Sequence, residues 1–387
     1  MTPAARIQAA IEILDQIVAG EPAEKALTSW ARSARYAGSK DRAAIRDHVF
    51  DVLRQKLSCA AIGGGLNGRA LMIGSLTQAG TDLDSVFTGE GHAPSSLADD
   101  ERPDAPALNV AETWDIPEWL LPLWQSSLGD KAAEVAEIQR HRAPVFLRAN
   151  LRRTTTEEAI MALAAQEITA QPHPLSPSAI EVTGNARRIK QAPAYLTGEV
   201  ELQDAASQAL VDALPLADAS KVLDYCAGGG GKTLAMAALS SATMYAHDAN
   251  PRRMKDLPDR AERAGIAVRL LKTNELKENG LFDLVLCDAP CSGSGSWRRA
   301  PEGKWRLTPG VLDEVTGIQA QILEDAAPLV VSGGALAYAT CSVLSVENQD
   351  QIEAFLSARP DWTLETERSF TPLDGGDGFF VAVLRKS

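Results

Sequence analysis

The chain reads as an α/β protein: a doubly wound carboxyl-terminal domain stands behind a small α+β unit and an all-α amino-terminal domain. Three observations predict this order. Apolar residues recur at helical spacing over residues 1 to about 75, with no strand-like alternation. A strand, a helix and two short strands follow between Val145 and Leu202. Beyond Ser207, short apolar runs alternate with helical stretches, the pattern of a parallel sheet covered on both faces. A length of 387 residues exceeds one ordinary core. The expected boundaries are 1–130 for the helical domain, 131–205 for the α+β unit and 206–387 for the α/β domain.

The elements follow in order. Ile7, Ile11, Leu14, Ile17 and Val18 define a first amphipathic helix; Ile45, Val49, Val52, Leu53 and Leu57 define a second strong stretch after Ser39-Lys40-Asp41-Arg42. From Thr81 to Ile116 the chain turns acidic and rich in Gly and Pro (Asp82, Asp84, Asp99, Asp100, Glu101, Asp104), which predicts a long surface connection. Residues Pro117 to Gly129 give a Trp-rich helical pattern. Val145–Asn150 is a strand, a helix follows Thr156-Glu157-Glu158, and Ile180–Val182 and Val200–Leu202 are short strands. In the last domain the strands are Val222–Asp224, Thr243–Ala246, Val268–Leu271, Phe282–Leu286 and Ala335–Tyr338.

Composition narrows the classes. The chain is 45% hydrophobic and 23% charged, as globular proteins are, and its net charge of -13 excludes nucleic-acid binding by bulk electrostatics alone. A nucleic-acid enzyme would need local basic patches. The first helix is interrupted by Arg6, Gln8 and Glu12, unlike a secretory leader, and no apolar run has the length of a membrane span. Five cysteines without regular spacing fit a reducing cytoplasm.

Two of those cysteines carry the chemistry. Cys291 in Asp288-Ala289-Pro290-Cys291-Ser292-Gly293 and Cys341 in Thr340-Cys341-Ser342 each follow a strand, where the ligand crevice of an open α/β sheet lies. The turn Cys226-Ala227-Gly228-Gly229-Gly230-Gly231-Lys232-Thr233 joins the first of those strands to a helix from Leu234 to Leu239. Glycines there let a ligand approach the backbone. A phosphate-cradling P-loop needs glycine six residues before the lysine, and Cys226 occupies that position. Asp248, about twenty residues past the glycines, stands where a carboxylate meets a ribose in dinucleotide folds. Each residue also has a bland reading: Lys232 as a solvent-facing helix-start lysine, Asp288 as a loop cap, the thiols as small buried hydrophobes, the fate expected of Cys287 and open to Cys226. A zinc site from Cys226, Cys287, Cys291 and Cys341 lacks the two-residue spacing of ribbons and fingers, so no metal is expected.

From about Arg148 to the carboxyl terminus the chain resembles the RsmB/Sun family of AdoMet-dependent RNA cytosine methyltransferases. The resemblance rests on Leu202–Ser207, the glycine turn at 226–233, Asp288–Gly293, Arg298-Arg299-x-Pro301, Lys304-Trp305, Gln319-x-x-Ile322-Leu323, Thr340–Ser342, Glu347-Asn348 and Asp377–Phe380. It implies a seven-stranded Rossmann-like domain, an RRM-like α+β unit and a NusB-like, RNA-binding helical domain. It implies S-adenosylmethionine as cofactor, held by Cys226, Ala227, Gly228, Gly230, Asp248, Asn274 and Asp288. Carbon 5 of cytosine is a poor nucleophile until a thiolate adds to carbon 6. In DNA cytosine methyltransferases the Pro-Cys thiol attacks, whereas this family uses the Thr-Cys thiol. The residue types do not rank the two, and the resemblance assigns attack to Cys341, contact with the ring nitrogen to Asp288 and release to Cys291. Lys232 would lower the thiolate pKa or hold a substrate phosphate.

On the substrate side, Ser296–Arg306 interleaves cations with tryptophans, so Arg298, Arg299 and Trp305 are the expected RNA contacts; the alternative is a basic surface turn. Arg148, Arg152, Arg153, Arg187, Arg188 and Lys190 make the α+β unit basic and suited to guide RNA. The target base must leave its stack, so a single-stranded or looped region is expected. Three departures from the family pattern stand out: Gly228 and Gly229 replace Ala-Pro, Thr273-Asn274 stands where an Asp is usual, and Gln349 replaces a Glu. The expected protein is a cytoplasmic monomer acting on ribosomal RNA. Transfer RNA is the alternative substrate, and a non-catalytic RNA-binding assembly factor the alternative class.

Overall fold

A computed structural model describes residues 1–102 and 106–387, so Asp104 of the acidic connection lies outside the described residues. The chain forms two compact units. One comprises residues 1–125, 129–142 and 297–306; the other comprises 126–128, 143–296 and 307–387. This division differs from the expected boundaries in two ways: the helical unit runs on to Arg142 and takes in Trp297–Arg306, and both sheets fall in the second unit.

In the helical unit, helices Pro3–Val18, Ala23–Ser33, Ser39–Arg54, Lys56–Gly63 and Gly68–Gln78 enclose a core that includes Ile13, Leu14, Ile45, Val49, Val52, Leu71 and Met72. Glycine sets the closest contact. A side chain at Gly74 would stand 2.0 Å from the Cys59 carbonyl, so these helices meet backbone to backbone. The acidic connection is not bare loop: Phe87 is buried in the same core, and Arg69 stacks over its ring and pairs with Glu101 at 2.6 Å. Among the described residues no helix is long and apolar enough to cross a membrane.

The second unit holds two sheets. Strands β1 (Val145–Ala149), β2 (Ala170–Pro172), β3 (Ala179–Val182) and β4 (Val200–Leu202) pair antiparallel in the order β2-β3-β1-β4. Helices at Thr156–Ala164 and Pro193–Leu196 complete a βαββαβ unit. The first is fixed by a capping box in which Thr155 and Glu158 each accept the other's backbone N–H.

The larger sheet comprises β5 (Lys221–Asp224), β6 (Thr243–His247), β7 (Val268–Leu271), β8 (Phe282–Asp288), β9 (Val330–Thr340), β10 (Trp362–Phe370) and β11 (Phe379–Lys386). Its order is β10-β11-β9-β8-β5-β6-β7, with β11 antiparallel to both neighbours and the other pairings parallel. Both faces are covered: Val222, Leu284 and Leu286 pack on one side, Leu223 and Val285 on the other. The strand order reverses between β5 and β8. That switch point places a crevice outside their carboxyl ends.

The basic residues of the small sheet are used for packing. Arg148, 4% exposed, donates to the Leu234 carbonyl; Arg152 donates to Ala237 and Arg153 to Thr197 and Arg263. Helices Gly231–Leu239 and Leu257–Ala264 supply those carbonyls, apart from that of Thr197. Guanidinium groups satisfy carbonyls near helix carboxyl ends and complement the negative pole there. Arg148 is thereby withdrawn from solvent, whereas Arg152 and Arg153 remain exposed.

Candidate active site

A cleft of about 610 Å³ opens at the switch point. One wall is the turn after β5, represented by Cys226, Ala227, Gly228, Gly229, Gly231 and Lys232; the other carries Asp288 to Cys291 after β8 and Cys341 after β9. Parallel pairing explains the convergence. Asp288 lies opposite Ala339 in the ladder, so the loops leaving β8 and β9 emerge side by side.

The two thiols meet in this cleft, with Cys291 Sγ 3.2 Å from Cys341 Sγ. Lys232 Nζ donates to Asp288 Oδ2 at 2.8 Å, and with its side chain 11% exposed it is not a solvent-facing lysine. The thiols are electrostatically unequal. The hydrogen bond from Cys291 favours the thiolate of Cys341, against opposition from burial and Asp288; Lys232 and Ser296 add to the downward side, so Cys341 ionises below the ordinary thiol range. The same hydrogen bond, burial and the Glu347 carboxylate hold Cys291 protonated. Burial pulls the Lys232 ammonium down, but Asp288 outweighs it and leaves it raised. Burial pushes up both Cys226 and Cys287; Cys287 is wholly buried within β8.

A buried polar network locks the two thiol loops together. Glu347, 0% exposed, accepts from the Ser292 N–H at 2.7 Å, from the hydroxyls of Ser292 and Ser342, and from Gln319 Nε2 at 3.1 Å. Asn348 accepts from Thr340 Oγ1 and donates to the Ser342 carbonyl. Ser292 and Ser342 directly follow the two cysteines, so one carboxylate sets both loops. Gly295 tightens the arrangement: its N–H donates to the Cys341 carbonyl, and a Cβ there would lie 2.1 Å from the Gly378 oxygen. Sequence reasoning matched Glu347 and Gln319 to a family pattern without assigning them a role.

The glycine turn suits a cofactor. Gly228 has φ +51 and Gly230 φ +79, the left-handed region that Ala and Pro would avoid. Asp248, 3% exposed, accepts from the Gly228 N–H at 3.0 Å through Oδ2, which Arg253 also approaches, and from the Asn250 N–H through Oδ1, which retains a second lone pair. Where the family has Ala-Pro side chains, arginines close over the glycines: Arg253 pairs with Asp248 at 3.3 Å and Arg260 donates to the Gly229 carbonyl. Gln203, which lines the cleft, has a buried Oε1 without a partner among the described residues, an acceptor open to a ligand. Asn274 is exposed in the turn Thr273–Glu275 and, like Gly230 and Asp248, stands behind the residues that line the cleft; its neighbour Thr273 hydrogen-bonds His247 Nε2 at 2.9 Å.

The expected RNA contacts need correction. Arg298 is 5% exposed and Trp297 1%; within the helical unit Trp297 stacks on Trp124, and Arg298 donates to the Arg142 carbonyl and accepts through its own carbonyl from Arg54. Trp305 donates its indole N–H to the Leu53 carbonyl at 2.6 Å, and Lys304, 1% exposed, donates to that of Arg54. Arg298 is thus drawn into a core, whereas Trp305 is half-buried, with Lys56 and Lys304 over its ring. Arg299 alone of the three is exposed.

Comparison with known proteins agrees with this geometry. Residues 211–385 match the family described as 16S rRNA methyltransferase RsmB/F, and residues 116–187 match its ferredoxin-like domain. Ribosomal RNA small subunit methyltransferase B of Cronobacter sakazakii (strain ATCC BAA-894) is 34% identical over 288 residues, covering 70% of this chain and 67% of that protein. The protein of the same name from Enterobacter sp. (strain 638) is 33% identical over 284 residues, covering 70% and 66%. The alignments thus span about two thirds of these relatives. The crystal structure of PH0851 superposes over 100% of this chain and 99% of its own, with a TM-score of 0.78 at 25% identity. The chain belongs to the 16S rRNA methyltransferase RsmB/F family and is an S-adenosylmethionine-dependent methyltransferase.

Proposed function

We propose that the protein forms 5-methylcytosine in ribosomal RNA through a covalent adduct on Cys341. The observation that carries this reading is the pair of thiols 3.2 Å apart beside the Lys232–Asp288 ion pair. Two sulfurs so close can address neighbouring carbons of one pyrimidine ring. S-adenosylmethionine supplies the methyl group, with Cys226, Ala227, Gly228, Gly230 and Asp248 as the residues that would hold it.

The remaining steps belong to side chains. Cys341 Sγ forms a bond to carbon 6 as the carbon 5–carbon 6 double bond opens, and Asp288 contacts the ring nitrogen that takes up the displaced charge. Carbon 5 is then electron-rich and accepts the methyl group. With Cys341 bound to carbon 6, Cys291 no longer shares its proton with a thiolate; it passes that proton to water and, as a thiolate, removes the carbon 5 proton, the electron pair reforms the double bond, and the sulfur–carbon bond breaks to return the Cys341 thiolate. Lys232 favours that thiolate at the start and orients Asp288 throughout. The base reaches the cleft from a single-stranded or looped region, with Arg299 as a contact on the substrate side. The same reading has the enzyme act as a cytoplasmic monomer.

Incubation with methyl-labelled S-adenosylmethionine and ribosomal RNA from cells lacking the gene tests this directly. Nuclease digestion should release labelled 5-methylcytidine; label in another nucleoside, or none in any RNA pool, overturns the proposal.

A further inference from the structure

Two sulfurs as close as those of Cys291 and Cys341 can also react with each other. They stand 3.2 Å apart, and a disulfide measures about 2.0 Å, so a closure of about 1.2 Å would join them. Both are half-buried and line the cleft of about 610 Å³, within reach of a small oxidant. The other three cysteines are placed differently. Cys59 lies in the helical core and Cys287 within β8, both at 0% exposure, and burial keeps them and Cys226 in the thiol form. Cys341 instead receives the S–H of Cys291 and lies near Lys232, and both favour its thiolate, the form that reacts with oxidants. The sulfur that stabilises this thiolate is therefore also the one placed to capture its oxidised product.

We propose that Cys291 and Cys341 are a redox modification site, closing to a reversible disulfide with hydrogen peroxide as oxidant and so withdrawing Cys341 from methyl transfer. The Cys341 thiolate attacks one peroxide oxygen. The O–O bond breaks, and the departing hydroxide becomes water with the proton that Cys341 had released. Cys341 is then a sulfenic acid, oxidised by two electrons as the peroxide is reduced. The Cys291 sulfur attacks the Cys341 sulfur: the S–S bond forms, the S–O bond breaks, and the hydroxide leaves with the Cys291 proton as a second water. A dithiol returns both thiols by exchange. The loss of methyl transfer rests on the role of Cys341 proposed above, whereas the disulfide rests on the two sulfurs alone.

The test treats the full chain with hydrogen peroxide in the absence of RNA and S-adenosylmethionine. Remaining thiols are then blocked with iodoacetamide in urea for proteolysis and mass spectrometry. Blocked thiols should fall from five to three, with the peptides that hold Cys291 and Cys341 joined. Dithiothreitol should restore all five, and methyl transfer to ribosomal RNA with them. In Cys291→Ser no thiol captures the sulfenic acid, so excess peroxide should carry Cys341 to the sulfinic acid, which dithiothreitol does not reverse. Sulfinic acid at Cys341 in the parent, a joined pair that includes another cysteine, or recovery of Cys291→Ser as complete as that of the parent overturns the proposal. Thiol counts are read without RNA, so the disulfide and the methylation reading fail separately.

Discussion

Removing the Glu347 side chain strips four donors of one buried acceptor: the Ser292 N–H, the Ser292 and Ser342 hydroxyls, and Gln319 Nε2. The hydroxyls can turn; Ser342 already lies 2.8 Å from Ser294 Oγ. The Ser292 N–H and the Gln319 amide cannot. Two stranded buried donors cost about 1–3 kcal/mol each, and the deleted methylene adds about 1 kcal/mol, so Glu347→Ala should destabilise the thiol loops by about 3–7 kcal/mol. Glutamine behaves differently. Its oxygen can face the two N–H donors while its NH2 faces hydroxyls that reverse to accept, so Glu347→Gln should cost about 1–2 kcal/mol. Labelling of Cys291 and Cys341 by a thiol reagent across a urea series reads the opening energy of these loops. Equal protection in the alanine and glutamine variants would refute the assignment of Glu347 as the shared acceptor.

Further expectations concern neighbouring residues. Gly295→Ala forces a methyl group to 2.1 Å from the Gly378 carbonyl, so methyl transfer should fall by at least about a hundredfold with the helical unit's melting unchanged. Lys232→Met should move alkylation of Cys341 to higher pH and Asp288→Asn to lower pH, since Lys232 favours the thiolate and Asp288 opposes it. Asp224 is pushed up to about 7 by burial, against an ordinary 3.8, while Thr233 partly offsets the rise through its hydrogen bond. The folded chain thus holds a proton that the unfolded chain releases, so this contribution to stability is present below about pH 4 and lost as pH rises through about 7. Urea midpoints of Asp224→Asn should lack that decline.

Strands β5, β6, β8 and β9 are legible as short apolar runs because they are largely buried parallel strands, and the edge strand β7 because Val268, Leu270 and Leu271 keep it apolar. β2 was not, since three residues ending in Pro172 carry no periodicity. β10 is an edge strand with mostly exposed side chains, and its register depends on β11 rather than on its own pattern. The thiols, Lys232 and Asp288 were found because their chemistry demands those residue types at strand ends. Arg148 and Arg298 are buried against the reading of their charge, because a cation reads alike in sequence whether it meets RNA or a backbone carbonyl. Only tertiary packing decides between them.

We propose that two hydrogen-bonded sulfurs 3.2 Å apart divide the labour, Cys341 attacking and Cys291 releasing. Incubating the enzyme with S-adenosylmethionine and RNA carrying 5-fluorocytidine at the target halts the reaction at the covalent stage, because the fluorine cannot leave as a proton does. Proteolysis and mass spectrometry then locate the nucleotide. Attachment to the peptide containing Cys341, with Cys291 free to alkylate, is the predicted result; attachment to Cys291 contradicts the account.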